Sequence, residues 1–340
     1  MSGSRIEFVD IAKCLGIFLM IFGHSGLRGY PHDWIYSFHM PFFFLVSGLF
    51  LKQDSRPFVD VVKKNARQLL IPYLFFYILT IPFGLVYIYF RGGEPVSVDY
   101  VWKPIVGMFL GVDRLIGPYS FFTNGPLWFL LALFWARILF AVNKTHNYSS
   151  LGIIVGACVS YALSRVLKEC GVNIWSIAQG LLLYPYLCVG YLLNRKWELV
   201  RRMDSGNNWL LVAVSILAIV VVTLSIPVIG SMEYGSLVMG NVPGLSFVIA
   251  IVGSVMLLSI SKLLDHCKHK QLLTAGGGTI VYLAIHHPVM DVVKFAISRF
   301  GFDISGGNAV VCIVSAVMTI IACYPCLLFL EKYCPKMIGR

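Results

Sequence analysis

Apolar residues dominate the chain in ten stretches, each long enough to be considered as a membrane span. They cover residues 7–26, 34–51, 68–90, 126–143, 151–167, 175–194, 209–230, 242–264, 279–298 and 307–330. The hydrocarbon core of a bilayer is about 30 Å thick, which corresponds to roughly 20 residues of helix. The pattern therefore predicts an all-α fold, a polytopic transmembrane bundle of about ten helices.

The longest segment between the predicted spans covers residues 91–125. Within it, residues 101–118 are apolar but are interrupted by charged residues and prolines, which favours an interfacial or re-entrant segment. A loop of this length is usually functional or disordered, and this one is too apolar to be plainly disordered, so we expect a lid that faces the substrate. No polar domain or clear repeat is present, so residues 1–340 are predicted to form a single transmembrane domain.

Composition supports the assignment to the membrane. The 340 residues are 58% hydrophobic and 13% charged, with a mean hydropathy of +0.79, which is far more apolar than a soluble domain. The first apolar stretch is long and contains Asp10 and Lys13, unlike the short apolar core of a cleavable signal peptide. We therefore expect the N-terminus to be retained.

Positive charge is distributed unequally between the two sides of the predicted bundle. Most Lys and Arg residues lie in the segments on the same side as the N-terminus. Cytoplasmic loops are enriched in these residues, so both termini are predicted to be cytoplasmic, in the inner membrane of a bacterium. The net charge of +11 follows from this topology and does not indicate a nucleic-acid site.

The nine cysteines do not predict a metal or redox site. Most of them lie within the apolar stretches, where free cysteine behaves as a small hydrophobic residue. No cluster of residues has a convincing metal-ligand spacing, and we expect neither a bound metal nor a tightly bound cofactor.

Three ionisable residues interrupt the first apolar stretch, namely Asp10, Lys13 and His24. At about 100° per residue, Lys13 and His24 differ by about 20° in direction and Asp10 lies within about 40° of His24. Ionisable residues inside a membrane usually face a protein interior or a water-filled cavity, so this stripe is a candidate site. The alternative is a solvated Asp10–Lys13 pair at the membrane interface and a merely polar His24.

Further polar residues lie in the second and ninth spans. His39 and Ser47 lie near the two ends of the second span, and His286 and His287 follow Gly276–Gly278 in the ninth. A buried histidine is often structural, and Ser47 next to a glycine is typical of close helix packing. Adjacent histidines point in different directions, so at most one is expected to reach a cavity shared with His24.

With these segments assigned, the whole chain resembles the integral-membrane acyltransferase-3 family, which moves acyl groups onto carbohydrate hydroxyls. The family's first helix contains a basic residue, ten intervening residues and a histidine, as Lys13 and His24 do here. Four further segments match in order: Phe38–Pro41 leading to Ser47–Gly48, Arg67–Tyr73, Asn124–Leu130 with Arg137 downstream, and the segment ending at His286. Gly276–Gly278 departs from the family, which commonly has a polar turn there.

The resemblance implies roles for individual residues. His24, His286 and Asp10 are the implied catalytic residues, with His24 as the general base. Lys13, Arg67 and Arg137 are implied to bind the phosphates of an acyl-CoA donor, and His39, Ser47, Asn124 and Trp128 the carbohydrate or glycolipid acceptor. Asp10 is about 20 Å along the helix from His24, so it is expected to pair with Lys13 or a cytoplasmic arginine.

Other interpretations remain open from the sequence alone. Arg67 is also explained as a charge that sets topology, and Trp128 as an interfacial anchor. The chain as a whole also fits a transporter or flippase in which the buried charges form a proton or solute path. A catalytically silent sensor on the same scaffold is a third possibility.

Overall fold

The structure is a computed structural model of the whole chain. It describes residues 6–51, 57–92, 98–111, 124–143, 149–172, 174–194, 208–265, 269–303 and 307–340. Residues 93–97 and 112–123 of the predicted 91–125 loop lie outside the described residues, and the lid expected of this loop stays a prediction.

The described residues form fourteen α-helices and one short pair of strands. The helices are α1 Glu7–His24, α2 Tyr30–Tyr36, α3 His39–Leu49, α4 Phe58–Asn65, α5 Ile71–Gly92, α6 Asp99–Leu110, α7 Trp128–Asn143, α8 Ser150–Glu169, α9 Ile177–Asn194, α10 Asn208–Ile229, α11 Pro243–Leu263, α12 Lys270–Gly277, α13 Thr279–Arg299 and α14 Ala309–Tyr333. A π-helical turn, Ala66–Leu70, joins α4 to α5, and 3₁₀ turns occur at Gly125–Leu127, Tyr234–Ser236 and Pro335–Ile338. Strands β1 Met232–Glu233 and β2 Val238–Met239 pair antiparallel.

The predicted all-α polytopic bundle is confirmed. Eight helical segments in the described residues are long and apolar enough to cross a membrane, and they correspond to the last eight predicted spans. The first predicted span is the 18-residue α1, which carries three charged residues, Glu7, Asp10 and Lys13.

The second predicted span is divided into α2 and α3, of 7 and 11 residues. Phe38, with φ −141° and ψ −18°, interrupts the helix before His39. Pro41 follows in the first turn of α3, where its missing N–H is tolerated because first-turn donors have no partner within the helix. The helix therefore restarts at this point, and apolar content alone did not reveal the break.

Backbone contacts group the chain into two compact units. The first comprises residues 1–52, 186–282 and 292–327, and the second comprises residues 53–185, 283–291 and 328–340. The single domain over residues 1–340 stays a prediction.

Within the first unit, α1 packs against α3, α11 and α12. The contact between α12 and α1 requires a glycine, because a Cβ at Gly276 would overlap the carbonyl oxygen of Asp10. A Cβ at Gly278 would likewise overlap the side chain of Leu327. The glycine run that departs from the family pattern thus permits close packing beside the charged end of α1.

The segment between α10 and α11 is also firmly packed in the first unit. Tyr234 is 2% exposed, and its hydroxyl lies 2.9 Å from that of Tyr186. Trp34 of α2 donates a hydrogen bond from Nε1 to the Thr223 hydroxyl of α10, at 3.1 Å. These contacts connect α2 to the helix pair that carries the strands.

In the second unit, α5 is bound to α6 by a hydrogen bond of 2.9 Å from the Tyr73 hydroxyl to the carbonyl of Met108. Trp175 donates from Nε1 to the Phe109 carbonyl at 2.7 Å, and its backbone N–H donates to Leu110. The α6 helix overlaps the segment predicted as interfacial or re-entrant. It has 12 residues, ends at Leu110 and is followed by Gly111, whose φ of 62° terminates it. It is about 18 Å long, too short to cross the bilayer core.

Candidate functional site

The charged end of α1 carries an ion pair. Asp10 Oδ1 lies 2.6 Å from Lys13 Nζ, and the Asp10 residue is 5% exposed. A buried carboxylate is costly without a partner, and one turn of helix brings the lysine alongside it. The pairing of Asp10 with Lys13 expected from the sequence is what the structure contains.

His24 is the last residue of α1 and is partly buried. It lies eleven residues beyond Lys13 and fourteen beyond Asp10, which is about 16 Å and about 21 Å along a helix. Asp10 is therefore too far away to orient the His24 imidazole by a hydrogen bond. The His24 ring meets the Tyr36 ring edge to face, with the centroids 5.9 Å apart.

Tyr36 reaches His24 because α1 has a glycine at the preceding position. A Cβ on Gly23 would lie 2.9 Å from Tyr36 Cε2 and 3.3 Å from Ile35 Cγ2. The His32 ring stacks on Tyr36 at 3.9 Å, and His32 Nδ1 lies 3.2 Å from Asp33 Oδ1. His32, Asp33 and Tyr36 were not among the residues predicted from the sequence. The signal that could have identified them is the i, i+4 spacing of His32 and Tyr36, which places both on one helix face.

His39 is 1% exposed and has a defined hydrogen bond. Its Nδ1 lies 2.9 Å from the Ile35 carbonyl oxygen, so this nitrogen carries the proton and donates. The neutral ring then keeps the lone pair on Nε2. Its ring centroid is 4.8 Å from that of Tyr36, so Tyr36 contacts both His24 and His39.

Ser47 is also buried, at 9% exposure, but it lies eight residues beyond His39 on α3. That spacing corresponds to about 12 Å along the helix. The structure therefore brings His39 toward His24 through Tyr36 and leaves Ser47 about two turns further along α3. Gly48, which follows Ser47, packs against the backbone of α9 at Leu187.

In the second unit, His286 is fully buried on α13. Its Nδ1 donates to the Leu283 carbonyl at 2.9 Å, which again leaves the lone pair of the neutral ring on Nε2. The ring of His287 lies beside it, with the centroids 4.6 Å apart. The two histidines thus occupy adjacent positions around the helix.

Asn124 is linked to the same part of α13. Its Nδ2 donates to the Ala284 carbonyl at 2.6 Å, and the residue is 4% exposed. In a regular helix this carbonyl accepts from the N–H four residues later, but that residue is Pro288, which has no N–H. Asn124 therefore satisfies a carbonyl that the proline leaves free, two residues before His286.

Trp128, the first residue of α7, is only partly buried.

The π-helical turn contains Arg67 and is contacted by Arg137. Arg137 of α7 donates from Nη1 to Asn65 Oδ1 and to Gln68 Oε1, each at 3.4 Å. Arg67 lies in the same turn and is exposed. π-Helical turns frequently occur at functional sites. The side-chain amides of Asn65, just before this turn, and Gln68, within it, accept from Arg137, while Arg67 is exposed.

Comparison with known proteins identifies the family. The family model for an acyltransferase domain matches residues 6–328. The chain belongs to this acyltransferase family. This acyltransferase is also 28% identical, over 198 residues, to the nodulation protein NolL of Mesorhizobium japonicum. That match covers 54% of the chain and 46% of the relative, so the chain spans about half of that protein's length. No solved structure matches the acyltransferase.

The chain thus carries an acyltransferase domain, and its described helices include eight segments that are long and apolar enough to cross a membrane. Its described residues supply the types of group that acyl transfer needs. Histidine is the commonest general base in enzymes, and lysine and arginine form charge-assisted hydrogen bonds to anionic groups.

Proposed function

We propose that this acyltransferase moves an acetyl group from cytoplasmic acetyl-CoA to a hydroxyl of an envelope polysaccharide, glycolipid or lipid-linked sugar. The observation that carries the proposal is the family match over residues 6–328, which contains the Lys13 and His24 pair at the family's spacing. Helix α1 is continuous between the two residues. It therefore holds Lys13, nearly two turns after its first residue, and His24, its last residue, on one rigid element.

His24 is the proposed general base. It takes the proton of the acceptor hydroxyl while the hydroxyl oxygen attacks the thioester carbonyl, so a carbon–oxygen bond forms. The carbon–sulfur bond then breaks, and the coenzyme A thiolate receives the proton. Histidine suits this step because its unperturbed pKa of about 6.5 allows it both to accept and to release a proton near neutral pH.

Lys13, Arg67 and Arg137 are the proposed binding residues for the donor phosphates. Charge-assisted hydrogen bonds to phosphate are among the strongest that side chains form. The roughly 16 Å between Lys13 and His24 along α1 is comparable to an extended pantetheine arm. The phosphates would then remain on the cytoplasmic side while the thioester reaches His24.

The acceptor is proposed to bind from the opposite side of the membrane, at His39, Ser47, Asn124 and Trp128, with His286 as a further catalytic residue. Of these, His39 is supported by its shared contact with Tyr36, and Asn124 by its bond next to His286. Asp10 acts through Lys13 in this scheme, because it pairs with that side chain.

Acetyl transfer from radiolabelled acetyl-CoA in isolated membranes tests the proposal. We expect His24→Ala to lower incorporation into envelope glycans about 100-fold or more, in the range of general acid–base contributions. His269→Ala is the matched control, since His269 is exposed at the start of α12, and it is expected to retain transfer. Equal labelling by the wild type and His24→Ala would exclude His24 as the base, and no labelling by the wild type would favour a transporter or flippase.

A further inference from the structure

The side-chain amide of Asn124 has one atom whose purpose the fold does not explain. Its Nδ2 must face the Ala284 carbonyl, because the reversed amide would place two oxygens 2.6 Å apart. Its orientation is therefore fixed, and Oδ1 faces the other way. Among the residues that the structure describes, this buried Oδ1 has no hydrogen-bond partner.

A purely structural role does not require this oxygen. The carbonyl freed by Pro288 needs one donor, and the Asn124 NH₂ group supplies it. Buried acceptors are nearly always satisfied, and each exception calls for an explanation. A residue that meets this structural need while its own side-chain oxygen stays buried and unsatisfied has the chemistry of a ligand-binding group.

We infer that Asn124 Oδ1 accepts a hydrogen bond from an O–H or N–H group of the acceptor substrate. The inference rests on the proposed function. An amide oxygen is too weak a base to remove the proton of the reacting hydroxyl, so the group it binds is a neighbouring donor on the acceptor. Asn124 thus orients the acceptor and selects for a donor at that position.

The acceptor, rather than the acyl-CoA, is assigned to this atom because of where Asn124 lies. It immediately precedes the segment Gly125–Val142, the fourth of the ten predicted spans. In the predicted topology this end faces away from the cytoplasm. His286 follows the residue whose carbonyl Asn124 contacts by two positions, so it lies on the same turn of α13.

Pro288 offers a way to separate the two roles of Asn124. Pro288→Ala restores an N–H four residues after Ala284, so the helix satisfies its own carbonyl. Asn124→Leu alone is expected to lower both the Tm and acetyl transfer. In the double variant Asn124→Leu/Pro288→Ala, we expect the Tm to return to that of Pro288→Ala while transfer stays at least tenfold lower.

The measurements are thermal unfolding of the purified protein in nanodiscs and radiolabel transfer in membranes, with the KM for acetyl-CoA determined in parallel. That KM is expected to stay within twofold of the Pro288→Ala value. The inference is overturned if the double variant recovers transfer together with the Tm, or if its Tm stays low. Absence of transfer in the wild type would instead refute the proposed function. In that case, the Tm of the double variant relative to Pro288→Ala would still show whether the Asn124 amide is needed for stability beyond its bond to the Ala284 carbonyl.

Discussion

At the residue scale, the position of His24 depends on a contact that one glycine permits. Gly23 leaves room for the Tyr36 ring, and Tyr36 in turn contacts both His24 and His39. The sequence predicted the two histidines as candidates, because ionisable residues stand out in an apolar helix. It did not predict Tyr36, because an aromatic residue in an apolar stretch carries no distinguishing signal.

Gly23→Ala is expected to displace Tyr36 and to lower the kcat of acetyl transfer about tenfold or more, since misplacement by about 1 Å can cost about 100-fold. The added Cβ would lie 2.9 Å from the tyrosine ring. Steady-state kinetics in membranes measure the effect, and the KM for acetyl-CoA should change little.

Gly16→Ala is the matched control for this substitution. Gly16 lies seven residues before Gly23 on α1. A Cβ at Gly16 would lie 2.9 Å from Phe42 Cε1, the same distance that separates a Cβ at Gly23 from the Tyr36 ring. A comparable loss of Tm with retained transfer is expected. Equal losses of kcat in the two variants would show that general damage to α1, and not the Tyr36 contact, controls His24.

At the element scale, α3 and α9 cross at a reciprocal pair of glycines. A Cβ at Gly48 would overlap the carbonyl oxygen of Leu187, and a Cβ at Gly190 would overlap that of Leu45. Small residues allow such close approach of helices in membranes. The crossing secures α3, which begins with His39 and ends two residues after Ser47.

Gly48→Ala or Gly190→Ala is expected to destabilise the protein by about 3 kcal/mol or more. Overpacking typically costs about 1–3 kcal/mol, and here the obstructing atom belongs to the backbone and cannot rotate away. Thermal unfolding in detergent measures the loss. Gly244→Ala serves as the control, because a Cβ there meets nothing within 4 Å; a Tm equal to the control in either variant would contradict the close crossing.

At the scale of the whole molecule, the orientation in the membrane decides which ligand meets which end of α1. The proposed mechanism places both termini in the cytoplasm, following the distribution of Lys and Arg. Cys170 caps the C-terminal end of α8 and is exposed, while Cys334 follows α14 and is partly exposed. The predicted topology puts these two thiols on opposite sides.

A membrane-impermeant maleimide applied to spheroplasts is therefore expected to modify Cys170 but not Cys334. Permeabilised membranes should show modification of both thiols, with peptide mass spectrometry as the measurement. Cys170→Ser removes the outer signal and confirms its assignment. Modification of Cys334 alone in spheroplasts would reverse the topology and place the proposed phosphate-binding residues on the wrong side for cytoplasmic acetyl-CoA.

The sequence by itself determined the all-α membrane fold, the last eight of the ten spans and the alignment of Asp10, Lys13 and His24 along α1. These features follow from local properties, namely the length of apolar stretches and the helical period of 3.6 residues. Only the tertiary structure decided that Asn124 satisfies the carbonyl freed by Pro288, since the bonded residues are 160 positions apart. The tertiary structure also decided that Gly276 lies against the backbone of Asp10. Such a contact joins residues far apart in the sequence, and the helical period of each segment does not show which segments pack together.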